Sequence, residues 1–131
     1  MNGEAVNGGG TIRVVLADDD FGYLQSLRLL IERQPELSVV GTAYDGIQLV
    51  ELVNEIDPDA AVIDIHMPRL DGVSAIETLR REHPSLCLIA LTGDGDRFLH
   101  ERVRGAGADG VLLKGEMVER LVDRLSAVRV A

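Results

Sequence analysis

The sequence predicts an α/β domain built on a five-stranded parallel sheet with helices on both faces. Two observations carry this. Apolar, β-branched runs of strand length alternate five times with segments whose apolar residues recur at helical spacing, the pattern of successive βα units. The runs "AAVIDI" and "LCLIALT" are almost continuously apolar, as strands covered on both faces must be. Aromatic residues make up only 3% of the chain and Trp is absent, so Val, Leu, Ile and Ala have to fill the core.

The elements follow in order. Residues 1–10, "MNGEAVNGGG", offer little to bury and are expected to form a flexible tail, leaving 11–131 as the domain. "IRVVLA" is the first strand, and "FGYLQSLRLLIERQ" the helix after it, with Leu24, Leu27, Leu30 and Ile31 at helical spacing. "LSVVGTA" is a short second strand, followed by the helix "GIQLVELVNEI". "AAVIDI" leads to the helix "VSAIETLRREH", and "LCLIALT" to the helix "RFLHERVRGAG". "GVLLK" is the fifth strand. "EMVERLVDRLSAVRV" closes the series with Met117, Leu121, Leu125 and Val128 on one face.

Composition narrows the possible functions. The 131 residues suit one domain with a real core. No apolar run is long enough to span a membrane, and no basic-then-apolar signal segment opens the chain. A single cysteine, Cys87, excludes an internal disulfide framework and fits the cytoplasm. The formal net charge of −9 argues against direct binding of nucleic acid, which needs a basic surface.

Ligands of parallel α/β sheets bind beyond the carboxyl ends of the strands. There the first strand delivers Asp18, Asp19 and Asp20, the third Asp64, the fourth Thr92 and the fifth Lys114. Adjacent carboxylates repel, at about 4 Å by roughly 1 kcal/mol in water and about 4 kcal/mol at an effective dielectric of 20. Such a cluster suits a cation between the acids, and hard carboxylate oxygens suit Mg²⁺. An aspartate beside that charge can attack a phosphoryl group, with a hydroxyl and an ammonium to hold the remaining oxygens. The set reads as a phosphoryl-acceptor site that forms a phosphoaspartate. Asp20, immediately before the helix at Phe21, reads instead as its N-cap.

These residues also carry a resemblance. "VLADDD", "VIDIHMPRLDG", "IALTGD" and "GADGVLLKGE", in this order, resemble the receiver domain of two-component response regulators. "LADDD" and "LLKGE" are most similar to the LuxR-type, nitrate-response branch. The resemblance implies a flavodoxin-like sheet of order 2-1-3-4-5, with Asp64 as phosphoacceptor and Asp19 as a direct Mg²⁺ ligand. It implies that Asp18 reaches the metal through water, and His66 through its main-chain carbonyl. Thr92 would be the switch hydroxyl and Lys114 the lysine that pairs with the phosphoryl group. Pro68, Asp71 and Gly72 would shape the turn and helix start after the acceptor, while His66 and Asp94 occupy positions that tune phosphoryl lifetime.

A sensor histidine kinase or phosphotransfer protein would be the donor. A homodimer formed on phosphorylation, or another partner, would carry the signal to an output such as transcription. The domain would catalyse only its own phosphorylation and dephosphorylation.

Two departures from the family pattern stand out. Gly115 follows Lys114 where many receivers have Pro, and Val111 stands where many carry Tyr or Phe. The latter removes the ring whose inward swing usually accompanies the threonine movement, so a receiver-like module working without phosphorylation is one alternative. A small Mg²⁺-dependent phosphatase is another, although it would want an acid where His66 stands. "GAGADG", Gly105 to Gly110, satisfies a dinucleotide-binding pattern. Yet it closes a helix and opens a strand, the reverse of the order that fingerprint requires. It reads as a helix C-cap and turn.

Overall fold

Strand pairing places β1 (Ile12–Ala17) at the hinge of the topology. It pairs in parallel with β2 (Leu37–Ala43) on one side and β3 (Ala60–Asp64) on the other. The sheet continues through β4 (Cys87–Thr92) to β5 (Gly110–Leu113), giving the order β2-β1-β3-β4-β5. The interposed helices are α1 (Phe21–Ile31), α2 (Gly46–Ile56), α3 (Gly72–Glu82) and α4 (Arg97–Ala106), with α5 (Val118–Ser126) last. This computed structural model describes residues 11–93, 95–115 and 118–128. The expected tail at residues 1–10 and Met117 of the predicted apolar face lie outside the described residues.

Alternate strand residues feed two separate cores, one on each side of the sheet. Val15, Ala17, Ala61, Ile63, Leu88 and Ala90 pack with Leu49 and Val53 of α2, Ala75, Ile76 and Leu79 of α3, and Val103 of α4. Val14, Leu16, Ala60, Val62, Ile89 and Leu91 pack with Leu24, Leu27 and Ile31 of α1 and Leu121 and Leu125 of α5. Successive side chains of a strand point to opposite faces, so a sheet covered on both sides needs apolar residues at every position. That is why β3 and β4 show no polar alternation.

Helix starts are set by aspartates. Asp20, Asp45, Asp71 and Asp96 are the N-caps of α1 to α4, each accepting a backbone N–H from the first turn. Asp20 thus caps α1 as its position in the sequence implies. α1 ends at Ile31, three residues short of the predicted Gln34. The N–H groups of Arg33 and Gln34 bond to the carbonyls of Leu30 and Ile31, tightening the last turn. Pro35 follows and disfavours helix at the residue before it. Gly107 is the C-cap of α4 with φ 123° and Gly110 opens β5. The glycine-rich stretch is therefore a helix stop and turn.

Strand ends also differ slightly from expectation. Ile65 lies just past β3, and Cys87 opens β4 instead of lying within it. Its half-buried thiol is pushed up to about 11, chiefly by burial. His83 is the C-cap of α3 and its Nε2 lies 2.7 Å from Asn54 Oδ1.

The direction of the connections reverses between β1 and β3, and there the chain ends of the strands part to leave a crevice. Register brings Ala17 beside Ile63, so the residues that follow them, Asp18 just past β1 and Asp64 at the end of β3, come together at that point.

Candidate functional site

Four of the predicted site residues converge in this crevice. Asp18 and Asp64 are 2% and 4% exposed, burial that a carboxylate accepts only with compensation. Asp18 Oδ1 accepts the backbone N–H of Asp20 at 2.9 Å, and Asp64 Oδ1 accepts that of His66 at 3.2 Å. Their other oxygens face Lys114, whose Nζ lies 2.6 Å from Asp18 Oδ2 and 3.4 Å from Asp64 Oδ2. Asp18 Oδ2 is enclosed, with the Lys114 ammonium in close contact. Asp19 is exposed at the rim, yet one oxygen each from Asp18, Asp19 and Asp64 lies within 4.8 Å of the others.

The electrostatics do not balance. Three carboxylates cluster, and one ammonium pairs with two of them. Burial and then the charge of Asp18 raise the pKa of Asp64, while the His66 N–H and Lys114 only partly oppose that rise. Burial alone would lower the pKa of Lys114, but its contacts with Asp18 and Asp64 carry it upward, so the ammonium stays charged. A set of three hard carboxylate donors with excess negative charge fits Mg²⁺.

The remaining predicted residues frame the crevice. Thr92 is fully buried at the end of β4, and its carbonyl accepts the Lys114 N–H at 2.8 Å. Gly115 follows Lys114 with φ 82°, the left-handed region that glycine enters freely. His66 and Pro68 are exposed. Asp71 caps α3, and a Cβ on Gly72 would stand 2.5 Å from Ile65 Cα, so the loop after Asp64 folds closely over the strand end. Val111 belongs to the α2–α4 core and is 7% exposed. Asp94 lies outside the described residues.

Sequence reasoning missed two features here. Tyr23 turns its ring to Lys114, with Nζ 4.6 Å from the ring centroid. Its position in the first turn of α1, four residues after Asp19, was the available signal. Asp45 is buried, caps α2 and meets Arg69 at 3.3 Å, while Arg69 holds φ 68°. This tie joins the loop after Asp64 to the start of α2.

The chain belongs to the response regulator receiver domain family, whose model matches residues 14–126. It is 35% identical over 117 residues to the uncharacterized transcriptional regulatory protein YxjL of Bacillus subtilis, covering 88% of this chain and 53% of that protein. It is 34% identical over 100 residues to a protein-glutamate methylesterase/protein-glutamine glutaminase of Thermotoga maritima, covering 75% of this chain and 29% of that protein. The chain spans about half the length of the transcriptional regulators it matches.

Among solved structures it superposes on the signal receiver domain of the response regulator NarL from Mycobacterium tuberculosis. The TM-score is 0.85 at 25% identity, covering 89% of this chain and 94% of that one. A LuxR-family response regulator from Aurantimonas sp. gives a TM-score of 0.84 at 28% identity, covering 93% and 90%. The strand order and the LuxR-type resemblance read from the sequence agree with these neighbours.

Proposed function

We propose that Asp64 accepts a phosphoryl group from a histidine kinase or phosphotransfer protein, and that the resulting phosphoaspartate switches the domain's interactions. The observation that carries this reading is the shared Lys114 ammonium between two buried carboxylates. It neutralises only part of their charge and lies where a phosphoryl group on Asp64 would place its oxygens.

A carboxylate oxygen of Asp64 attacks phosphorus as the N–P bond of the donor's phosphohistidine breaks. The imidazole leaves and Asp64 becomes an acyl phosphate. Lys114 pairs with a phosphoryl oxygen, and Thr92 stands at the adjacent strand end to bond another. Asp19 and Asp64 would hold Mg²⁺ directly, Asp18 through water and His66 through its carbonyl. Bound there, the metal supplies the positive charge that three carboxylates and an incoming phosphate require.

The chain's relatives among transcriptional regulators support control of transcription as the output, exerted through partner or homodimer contacts and not through DNA contact by this acidic domain. No helix among the described residues is long and apolar enough to cross a membrane, and cytoplasmic placement is part of the proposal.

Intact-mass measurement after treatment with phosphoramidate and Mg²⁺ tests the reading. The wild type is expected to gain one phosphoryl mass, and Asp64→Ala none. A wild type that gains nothing, or an Asp64→Ala protein that still gains the mass, overturns it. Steady turnover of a phosphate ester by the wild type would point to the phosphatase alternative.

A further inference from the structure

The Lys114 ammonium has two carboxylate partners and one that is not charged. Its Nζ sits 4.6 Å from the centroid of the Tyr23 ring, and Tyr23 is half-buried. The backbone of Tyr23 is fixed through the same acidic turn that forms the site. Asp18 Oδ1 accepts the Asp20 N–H at 2.9 Å, and Asp20 Oδ1 accepts the Tyr23 N–H at 3.1 Å. Asp18, Asp20, Tyr23 and Lys114 therefore close a ring of contacts that returns to Asp18 through the 2.6 Å ion pair.

We propose that Tyr23 is a positioning residue that seats the Lys114 ammonium for phosphoryl transfer to Asp64. The inference rests on the reading of Asp64 as phosphoacceptor. A lysine ends in a compact charge on a flexible four-carbon stem, and an ammonium free to wander contributes little to a transition state. Asp18 and Asp64 restrain it, but as anions they compete with an arriving phosphoryl oxygen for its protons. The face of an aromatic ring attracts the ammonium without neutralising it. Tyr23 thus holds the charge near Asp64 and leaves it available to the phosphoryl group. The chain has only four aromatic residues, Phe21, Tyr23, Tyr44 and Phe98, and none belongs to the fully buried core. Val111 supplies no ring near this lysine, so the aromatic neighbour of Lys114 comes from α1 and not from β5.

The role belongs to the ring face and not to the phenol, which sets the experiment. Tyr23→Phe is expected to phosphorylate with phosphoramidate and Mg²⁺ within about twofold of wild type, and Tyr23→Leu about fivefold more slowly. Phenylalanines carrying one, two and three ring fluorines at position 23 withdraw charge from the face while scarcely changing its size. Their rates are expected to fall in step with fluorine number.

The metal-free protein offers a second readout. The Lys114 ε-methylene protons are expected to be shifted upfield by the ring in wild type and Tyr23→Phe, and to return to ordinary values in Tyr23→Leu. Thermal melting confirms that each variant is folded. A flat fluorine series, or an unshifted ε-methylene in wild type, overturns the inference while leaving Asp64 as acceptor. A wild type that takes no phosphoryl group overturns both.

Discussion

The two ends of the sheet use the same residue types for opposite purposes. At the amino ends of the strands, charged side chains are spent on backbone groups. Arg80 donates to the carbonyls of Gly107, Pro84 and Leu86 at 2.8–2.9 Å and to Asp109 Oδ2 at 2.8 Å. That carboxylate oxygen also accepts the Leu88 N–H, and Arg124 donates to the Asp109 carbonyl. Arg13 donates from its side chain to the carbonyls of Ile56 and Asp57, while its N–H goes to Asp59. At the carboxyl ends three aspartates cluster, and one lysine pairs with two of them, Asp18 and Asp64. Where charges are matched they hold loops to strands. Where they are left over, they leave the excess negative charge on which the proposed cation and phosphoryl chemistry depends.

The largest expected effect comes from breaking the matched end. Arg80→Met keeps most of the stem but strands three carbonyls and a carboxylate, so urea unfolding should show a loss of about 2–3 kcal/mol. Phosphorylation of the folded variant should stay within about twofold of wild type. A stability change below about 0.5 kcal/mol would mean that the network is ornamental, and the contrast between the two ends would fail.

The leftover end should respond in the opposite direction. Asp64 carries a raised pKa, first because it is buried and then because Asp18 repels it. For a carboxylate raised on folding, the associated stability is present at low pH and is lost as pH rises through the folded value. At neutral pH and without metal, the wild type therefore carries an unfavourable buried charge that Asp64→Asn removes. The variant should be more stable by on the order of 1 kcal/mol, with the difference shrinking as pH falls below that window. Added Mg²⁺ should narrow or reverse the difference, because it stabilises the protein that binds it better. A less stable Asp64→Asn at pH 7 in chelator would show that Lys114 compensates the charge more fully than the contacts imply.

This contrast also explains what the sequence could reveal. The alternation of apolar runs is a local, periodic signal, and the site aspartates and lysine stand at strand ends where the topology must bring them together. The fold and the clustering of Asp18, Asp19, Asp64 and Lys114 were therefore legible. Arg80 with Asp109, Arg69 with Asp45 and Tyr23 with Lys114 pair residues far apart in the chain without any periodicity. Such pairings depend on where loops land and how long side chains turn. The end of α1 at Ile31 shows the same limit, since local turn bonds before Pro35 overrode three residues of acceptable helical sequence.

The smallest effect divides the acidic run itself. Asp19 is exposed and joins the oxygen cluster, while Asp20 is exposed and caps α1. Asp20→Ala should lower stability by about 0.5–1 kcal/mol, as lost N-caps do, and change Mg²⁺ affinity by less than about twofold. Asp19→Ala should leave the melting midpoint of the metal-free protein nearly unchanged while weakening Mg²⁺ by about 100-fold or more, at or beyond the upper end of what loss of a supporting residue costs. Calorimetric Mg²⁺ titration of the two variants separates the roles. Because Asp20 also anchors the turn that carries Tyr23, its removal should loosen the ring over Lys114 and slow phosphorylation slightly with little change in metal binding. Equal losses of Mg²⁺ affinity in the two variants would show that the turn acts as one unit, and that cap and ligand cannot be assigned to separate residues.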